Sequence, residues 1–124
     1  MANTESTLKE ALTIIDGAVG AALVDYTSGM ALGTVGGGKE LDLTVAAAGN
    51  TDVVRAKVRT MEQLGLKDGI EDILITLSTQ YHLIRLLKGR GTSGLFLYLA
   101  LDKGRANLAM ARHQLRQIEA ELEL

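Results

Sequence analysis

The sequence predicts an α+β domain in which one five-stranded antiparallel sheet is covered by helices on both faces, in the order α-β-β-α-β-β-β-α. Three observations predict it. Two strand-like stretches flank the turn residues Asp25-Tyr26-Thr27-Ser28-Gly29. Three more follow one another between 71 and 102 with links too short for a crossover, which forces antiparallel neighbours. Three other segments carry the 3.6-residue period of amphipathic helices. With 124 residues the chain is one domain rather than two, read as 1–124 with a core at about 8–122.

The first helix places Leu8, Ala11, Leu12 and Ile15 on one face behind Thr7 and Glu10, a capping-box spacing. It begins there or as early as Thr4, and Asp16-Gly17 stops it. A hairpin spans 18–35, with Gly29 where the turn needs a positive φ. Gly20, Ala21 and Ala22 in its first strand let other layers approach closely, and Gly36-Gly37-Gly38 ends its second. A long helix follows over about 41–64, with Asp42 near its start and Gly65 at its end. Strands are expected at 71–79, 81–88 and 93–102. The run 95–101 is apolar on both faces and belongs mid-sheet. The strand at 71–79 puts Ile73, Ile75 and Leu77 on one face and Asp72, Leu74, Thr76 and Ser78 on the other, and it carries few charges to protect an edge. A last helix over about 105–122 aligns Leu108, Ala111, Leu115, Ile118 and Leu122, with Arg112, Arg116 and Gln117 outside that stripe.

Composition removes several classes of function. The absence of cysteine excludes disulfides, thiolate catalysis and Cys-based metal sites, and it suits a reducing cytoplasm. With 13 Lys+Arg against 15 Asp+Glu, the net charge of −2 gives no attraction to polyphosphate, and 3% aromatics are too few for base stacking; no nucleic-acid partner is expected. The polar opening residues form no signal peptide, and the longest apolar run, 95–101, is far short of a membrane span. A cytoplasmic protein without membrane insertion is the expectation.

The segment Gly33-Thr34-Val35-Gly36-Gly37-Gly38-Lys39-Glu40 satisfies G-x-x-x-x-G-K between a strand and a helix. It fails at Glu40, which puts a carboxylate where a hydroxyl must ligate magnesium, and the element order lacks parallel crossovers. A glycine-rich connection is the better reading. His82 and His113 have no further ligand at metal spacing, and no G-x-S-x-G elbow surrounds either, so both are structural or surface residues. Asp68, Glu71 and Asp72, and again Glu119, Glu121 and Glu123, read as solvated carboxylates. Lys88 with Arg90, and Arg112 with Arg116, read as solvated charge, with an acidic partner as the competing role. No catalytic residue, cofactor or metal is expected.

The long helix carries the strongest functional signal. Leu43, Ala46, Ala47, Val53, Val54, Val58, Met61 and Leu64 fill an arc of roughly 140°, enough to cover a sheet. The opposite side is also nearly uncharged, because Val45, Ala48, Gly49 and Ala56 surround Asp52 alone. One sheet cannot cover both sides, so a second copy of the helix is expected there; the competing explanation is that alanine is simply a good helix former. The expected dimer interface is Val45, Ala48, Gly49, Asp52 and Ala56 with the edge residues Ile73, Ile75 and Leu77. Asn50 and Lys57 fall inside the apolar arc, and Arg55 and Arg59 lie on its flank; these four are the expected partner-binding residues.

Taken together, the hairpin Leu23-Val24-Asp25-Tyr26-Thr27-Ser28-Gly29-Met30-Ala31-Leu32, the long second helix, the strand meander and Asn107-Leu108-Ala109-Met110-Ala111-Arg112 resemble the roadblock family, named for a dynein light chain. The resemblance covers nearly the whole chain and implies a profilin-like fold. It also implies a homodimer or heterodimer whose second helices pack together and whose edge strands join two sheets. Bacterial members often accompany a small Ras-like GTPase and regulate its nucleotide state, without catalytic residues of their own. The expectation is therefore a non-enzymatic, dimeric domain that binds such a GTPase. The alternatives are a scaffold subunit or a PAS-like small-molecule sensor, the last requiring a cavity that the filled interior argues against.

Overall fold

Alternation and turn chemistry produce the hairpin where the sequence places it, with strand β1 at Ala18–Asp25 and β2 at Met30–Gly36. The computed structural model describes residues 3–89 and 91–124. Gly29 takes φ +82°, and the Asp25 carboxylate accepts from the Thr27 hydroxyl at 2.6 Å and the Thr27 N–H at 2.9 Å. These bonds, the hydroxyl first, hold the Asp25 carboxyl below its ordinary value. Before the hairpin runs helix α1, Thr4–Ile14; after it come α2, Leu43–Leu64, strands β3 (Asp72–Thr76), β4 (Gln80–Leu86) and β5 (Leu95–Asp102), and helix α3, Leu108–Ala120.

The five strands form one sheet in the order β2-β1-β5-β4-β3, and every neighbouring pair is antiparallel. The apolar run on both faces places β5 at the centre, where residues 95–101 are all buried. β3 is an edge, as its lopsided pattern predicts, and β2 is the other. Helices α1 and α3 cover one face, packing Leu8, Ala11, Ile15, Leu115 and Ile118 on Leu83, Leu97 and Leu99. Helix α2 covers the other, packing Leu43, Ala47 and Val54 on Ala22, Val24, Phe96 and Tyr98.

Several local expectations are corrected. Thr7 and Glu10 do not cap α1. The Asn3 side chain accepts from Ser6 N–H at 2.9 Å and starts the helix one turn earlier, which leaves Thr7 buried inside it with its hydroxyl unpaired. Helix α3 begins at Leu108 because Asp102 closes a turn through the Gly104 and Arg105 N–H groups, and Asn107 then caps the helix through Met110 N–H. The core-facing arc of α2 is rotated from its expected position: Thr51 is buried, its hydroxyl donating to Ala47 O at 2.7 Å, whereas Val53 and Leu64 are exposed. A threonine satisfied by its own helix is in effect apolar, which a hydropathy wheel does not credit.

Two carboxylates read as solvated are engaged instead. Asp72 on β3 receives a bidentate pair from Arg112 on α3, both N–H···O distances 3.0 Å, and Glu119 on α3 pairs with Arg85 on β4. These contacts fasten α3 to the β3–β4 half of the sheet and remove Arg112 from the free surface charge. Lys88 is exposed, while Arg90 lies outside the described residues.

Candidate interaction surface

The site is built on α2. Asp42 caps it by accepting from Thr44 and Val45 N–H at 3.0 and 3.2 Å, and Gly65 ends it in the left-handed conformation at φ +71°. Between these caps 22 residues make a rod of about 33 Å. Its inner side is fixed by Leu43, Ala47, Thr51 and Val54. Its outer side carries Val45, 67% exposed, with Ala48, Gly49, Asp52 and Ala56 all exposed beside it. A Cβ added at Gly49 would meet nothing within 4 Å, so nothing inside the protomer calls for a glycine there.

Helix α2 comes closest to the sheet over β1 and β2. Toward the β3 edge, Ile73, Ile75, His82 and Leu86 are only half-buried on that same side, and Leu77 beyond the end of β3 is 42% exposed. The eight residues expected at a dimer interface therefore fall into two groups, one on the outer side of α2 and one along the open edge, both on the α2 side of the molecule or at its rim.

The four expected partner-binding residues separate. Lys57 and Arg59 are exposed. Arg55 is also exposed but is committed inward, donating from Nε to Tyr26 O at 2.7 Å and from Nη2 to Thr27 O at 2.5 Å, so that it ties α2 to the hairpin turn. Asn50 is half-buried at the wall of an open cleft of about 410 Å³ between the start of α2 and the sheet. Leu41, Val45, Ala46 and Gly49 line the same cleft with His82 and Tyr98 on its floor, and Lys39, Glu40 and Asp42 at its rim.

The sequence singled out neither Tyr98 nor its contact with His82. His82 Nδ1 lies 3.1 Å from the Tyr98 hydroxyl and Nε2 lies 2.9 Å from Gln80 Oε1. Burial holds the imidazole below its ordinary pKa and pushes the Tyr98 phenol up to about 12, with the Asn50 side chain opposing that rise. The pairing could be found only from strand register, which sets His82 against Ala100, two residues from Tyr98 on the central strand.

Three of the four glycines in the phosphate-loop-like segment are explained by packing, and the fourth, Gly38, by its backbone at φ +154° with open space around it. A Cβ at Gly33 would stand 2.8 Å from Thr4 Cγ2, one at Gly36 2.7 Å from Leu12 Cδ2, and one at Gly37 2.7 Å from Leu41 O. They admit α1 and the start of α2 to the end of the hairpin. Among the described residues no helix is long and apolar enough to cross a membrane.

No protein-family model matches the chain, and no curated protein matches it in sequence. Solved structures do match in shape. The roadblock/LC7 domain from Streptomyces avermitilis superposes with a TM-score of 0.81 at 10% identity, covering 96% of this chain and 93% of its own. Myxococcus xanthus MglB gives 0.74 at 17% identity over 93% and 77% of the two chains. The gliding protein MglB of Thermus thermophilus gives 0.70 at 20% identity over 95% and 89%. Element order, sheet order and these superpositions agree: the chain has the roadblock/LC7 fold.

Proposed function

We propose that this chain is a non-enzymatic, dimeric regulatory domain that docks a small Ras-like GTPase on its α2 side and shifts the partner's nucleotide state. The observation that carries the proposal is the outer side of α2, a rod with Val45, Ala48, Gly49 and Ala56 open to water around a single carboxylate, Asp52. Large exposed apolar patches mark interaction sites. A second α2 can cover this one with close ridge-into-groove contact, because residues 45, 49 and 52 or 56 recur at helical spacing. Joining the β3 edges through Ile73 and Ile75 would pair backbone groups that the protomer leaves to solvent.

The two helices side by side then form a platform rimmed by Lys57 and Arg59. In this arrangement the chemistry of hydrolysis stays in the GTPase, and the platform acts by binding one nucleotide form more tightly, since equal affinity for both would shift nothing. The resemblance of the hairpin and the second helix to roadblock-family sequences supports the class of partner, and the fold supports the geometry.

Two measurements test this. Light scattering should give twice the 13.2 kDa protomer mass for the wild type. Ala48→Glu and Ile75→Lys should lower it, and dimers persisting in both variants place the interface elsewhere. The purified chain should also change the rate of hydrolysis or exchange, or prefer one nucleotide form, with a small GTPase encoded beside it. Absence of any such effect with every neighbouring GTPase, together with co-purification of a different protein, makes the chain a scaffold subunit instead.

A further inference from the structure

Helices α1 and α3 cover the sheet face opposite α2, and the seam between them opens into a groove of about 470 Å³ that neither dimerisation nor docking on α2 uses. The Gln114 side-chain amide donates to Ile14 O at 3.3 Å and ties the two helices together at one end of it. Beyond that bond Ile14, Ile118 and Ala120 make the apolar walls, Gln117 stands beside them, and Glu10 and Glu121 bring a carboxylate from each helix. Ile14 is 41% exposed, whereas Leu8, Ala11 and Ile15 of the same helix are buried.

Both signs of charge occur on these helices, yet only one reaches the groove. Lys9 is drawn to Glu5 at 2.8 Å, one turn back along α1. Arg112 is taken by Asp72 on β3, and Arg116, one turn on, leaves α3 on that same side. No Lys or Arg lines the groove, and among the described residues neither Glu10 nor Glu121 is in an ion pair. An apolar floor between two unpaired carboxylates is complementary to an apolar surface flanked by cations.

Backbone chemistry selects a helix over a strand as the occupant. Helices α1 and α3 spend their own N–H and C=O groups internally and offer no ladder to an extended chain. A helix arrives with its backbone already satisfied, and it packs into the furrow between two others as ridge into groove. With 11 residues in α1 and 13 in α3, the two helices run for roughly 17 and 20 Å, which suits a visitor of about three turns. We propose that the α1–α3 groove docks a basic amphipathic helix of a partner protein, its apolar side seated on Ile14, Ile118 and Ala120 and its Lys or Arg side chains paired with Glu10 and Glu121. The groove lies across the sheet from α2, so it stands whatever the α2 side binds. Occupied on both faces, the domain holds two partners at once.

The probe is a capped peptide of about 12 residues with leucine on one side of its helix and lysine on the other, and a second peptide with glutamate in place of lysine is the control. In ¹H–¹⁵N NMR spectra of the full chain, the lysine peptide should shift the backbone amides of Ile14, Gln117, Ala120 and Glu121, more weakly as salt is raised. The glutamate peptide should leave them in place. Glu10→Lys combined with Glu121→Lys replaces two attractions by repulsions and should lower the affinity roughly tenfold or more. Glu40→Lys combined with Glu62→Lys makes the same change of charge at exposed positions away from the groove and should leave the affinity close to the wild-type value. No binding of the lysine peptide, shifts centred on α2, equal binding of both peptides, or equal losses in the two double variants overturn the proposal. So does a wild-type mass above the dimer that Glu10→Lys with Glu121→Lys lowers, which assigns the groove to a second copy of the chain.

Discussion

Gly49→Ala separates what the protomer needs from what its assembly needs. A glycine inside a helix is about 0.8–1 kcal/mol worse than alanine, because it loses more backbone freedom on folding. The added Cβ meets nothing within 4 Å in the protomer, so no packing penalty offsets that gain. The isolated protomer should therefore gain about 1 kcal/mol, which raises the melting temperature by roughly 3–6 °C for a domain of this size. Across a helix–helix contact the sign reverses. Each added methyl would press on the facing helix, and overpacking typically costs about 1–3 kcal/mol. Even about 1 kcal/mol from each of two copies weakens the dimer roughly 30-fold. Thermal melts at high dilution, combined with sedimentation over a range of concentrations, measure the two effects apart. A variant that is more stable when dilute and dissociates more readily supports the α2 contact. An unchanged dissociation constant removes Gly49 from the interface, and lower stability at dilution shows that this side of the helix is not free.

Gly36→Ala should destabilise by about 2–4 kcal/mol, combining a left-handed backbone with the approach of a Cβ to Val19 O; the structure puts φ at +77° and that contact at 2.7 Å. Gly38→Ala, with nothing within 4 Å, should cost only the backbone part, and urea denaturation compares them. Equal losses from the two would mean that the hairpin end is not closely packed. Arg112→Ala should cost about 1–2 kcal/mol, between the values for exposed and buried ion pairs, because Arg112 and Asp72 side chains are 34% and 17% exposed. The loss should shrink in an Asp72→Asn background, which a double-mutant cycle measures.

The architecture was legible because its signals are local. Gly29 and Gly65 mark turns whose left-handed backbone favours glycine, Asp42 caps the residues after it, and a strand apolar on both faces can only lie inside a sheet. The contacts that tune the site are not local. Arg55 reaches back 29 positions to the hairpin carbonyls, Asp72 meets Arg112 40 positions away, and His82 meets Tyr98 only through the register of β4 on β5. No spacing rule on a single element reveals them. The rotation of the buried side of α2 toward Thr51 has a different cause: hydropathy charges a threonine for a hydroxyl that its own helix satisfies. The exposed side of α2 was legible in turn because Val45, Ala48, Gly49 and Ala56 leave it a single charge, Asp52, which is a property of the sequence itself.

The ladder between β1 and β5 joins residues about seventy or more positions apart, from Asp25 with Leu95 to Ala18 with Leu101. Closing so long a span carries an entropic penalty of about 4 kcal/mol before any bond repays it. The hairpin and the β3–β4–β5 meander need no such closure, so they are free to assemble first as separate pieces. During synthesis β1 must wait for β5, roughly 4 to 14 seconds at ordinary ribosomal speeds. Throughout that delay the nascent polypeptide displays Ala21, Ala22, Leu23 and Val24 on an unpaired strand margin with no charge among them to deter a wrong neighbour. The same inner position that secures β1 in the finished sheet leaves its margin open to mispairing while the chain is being made.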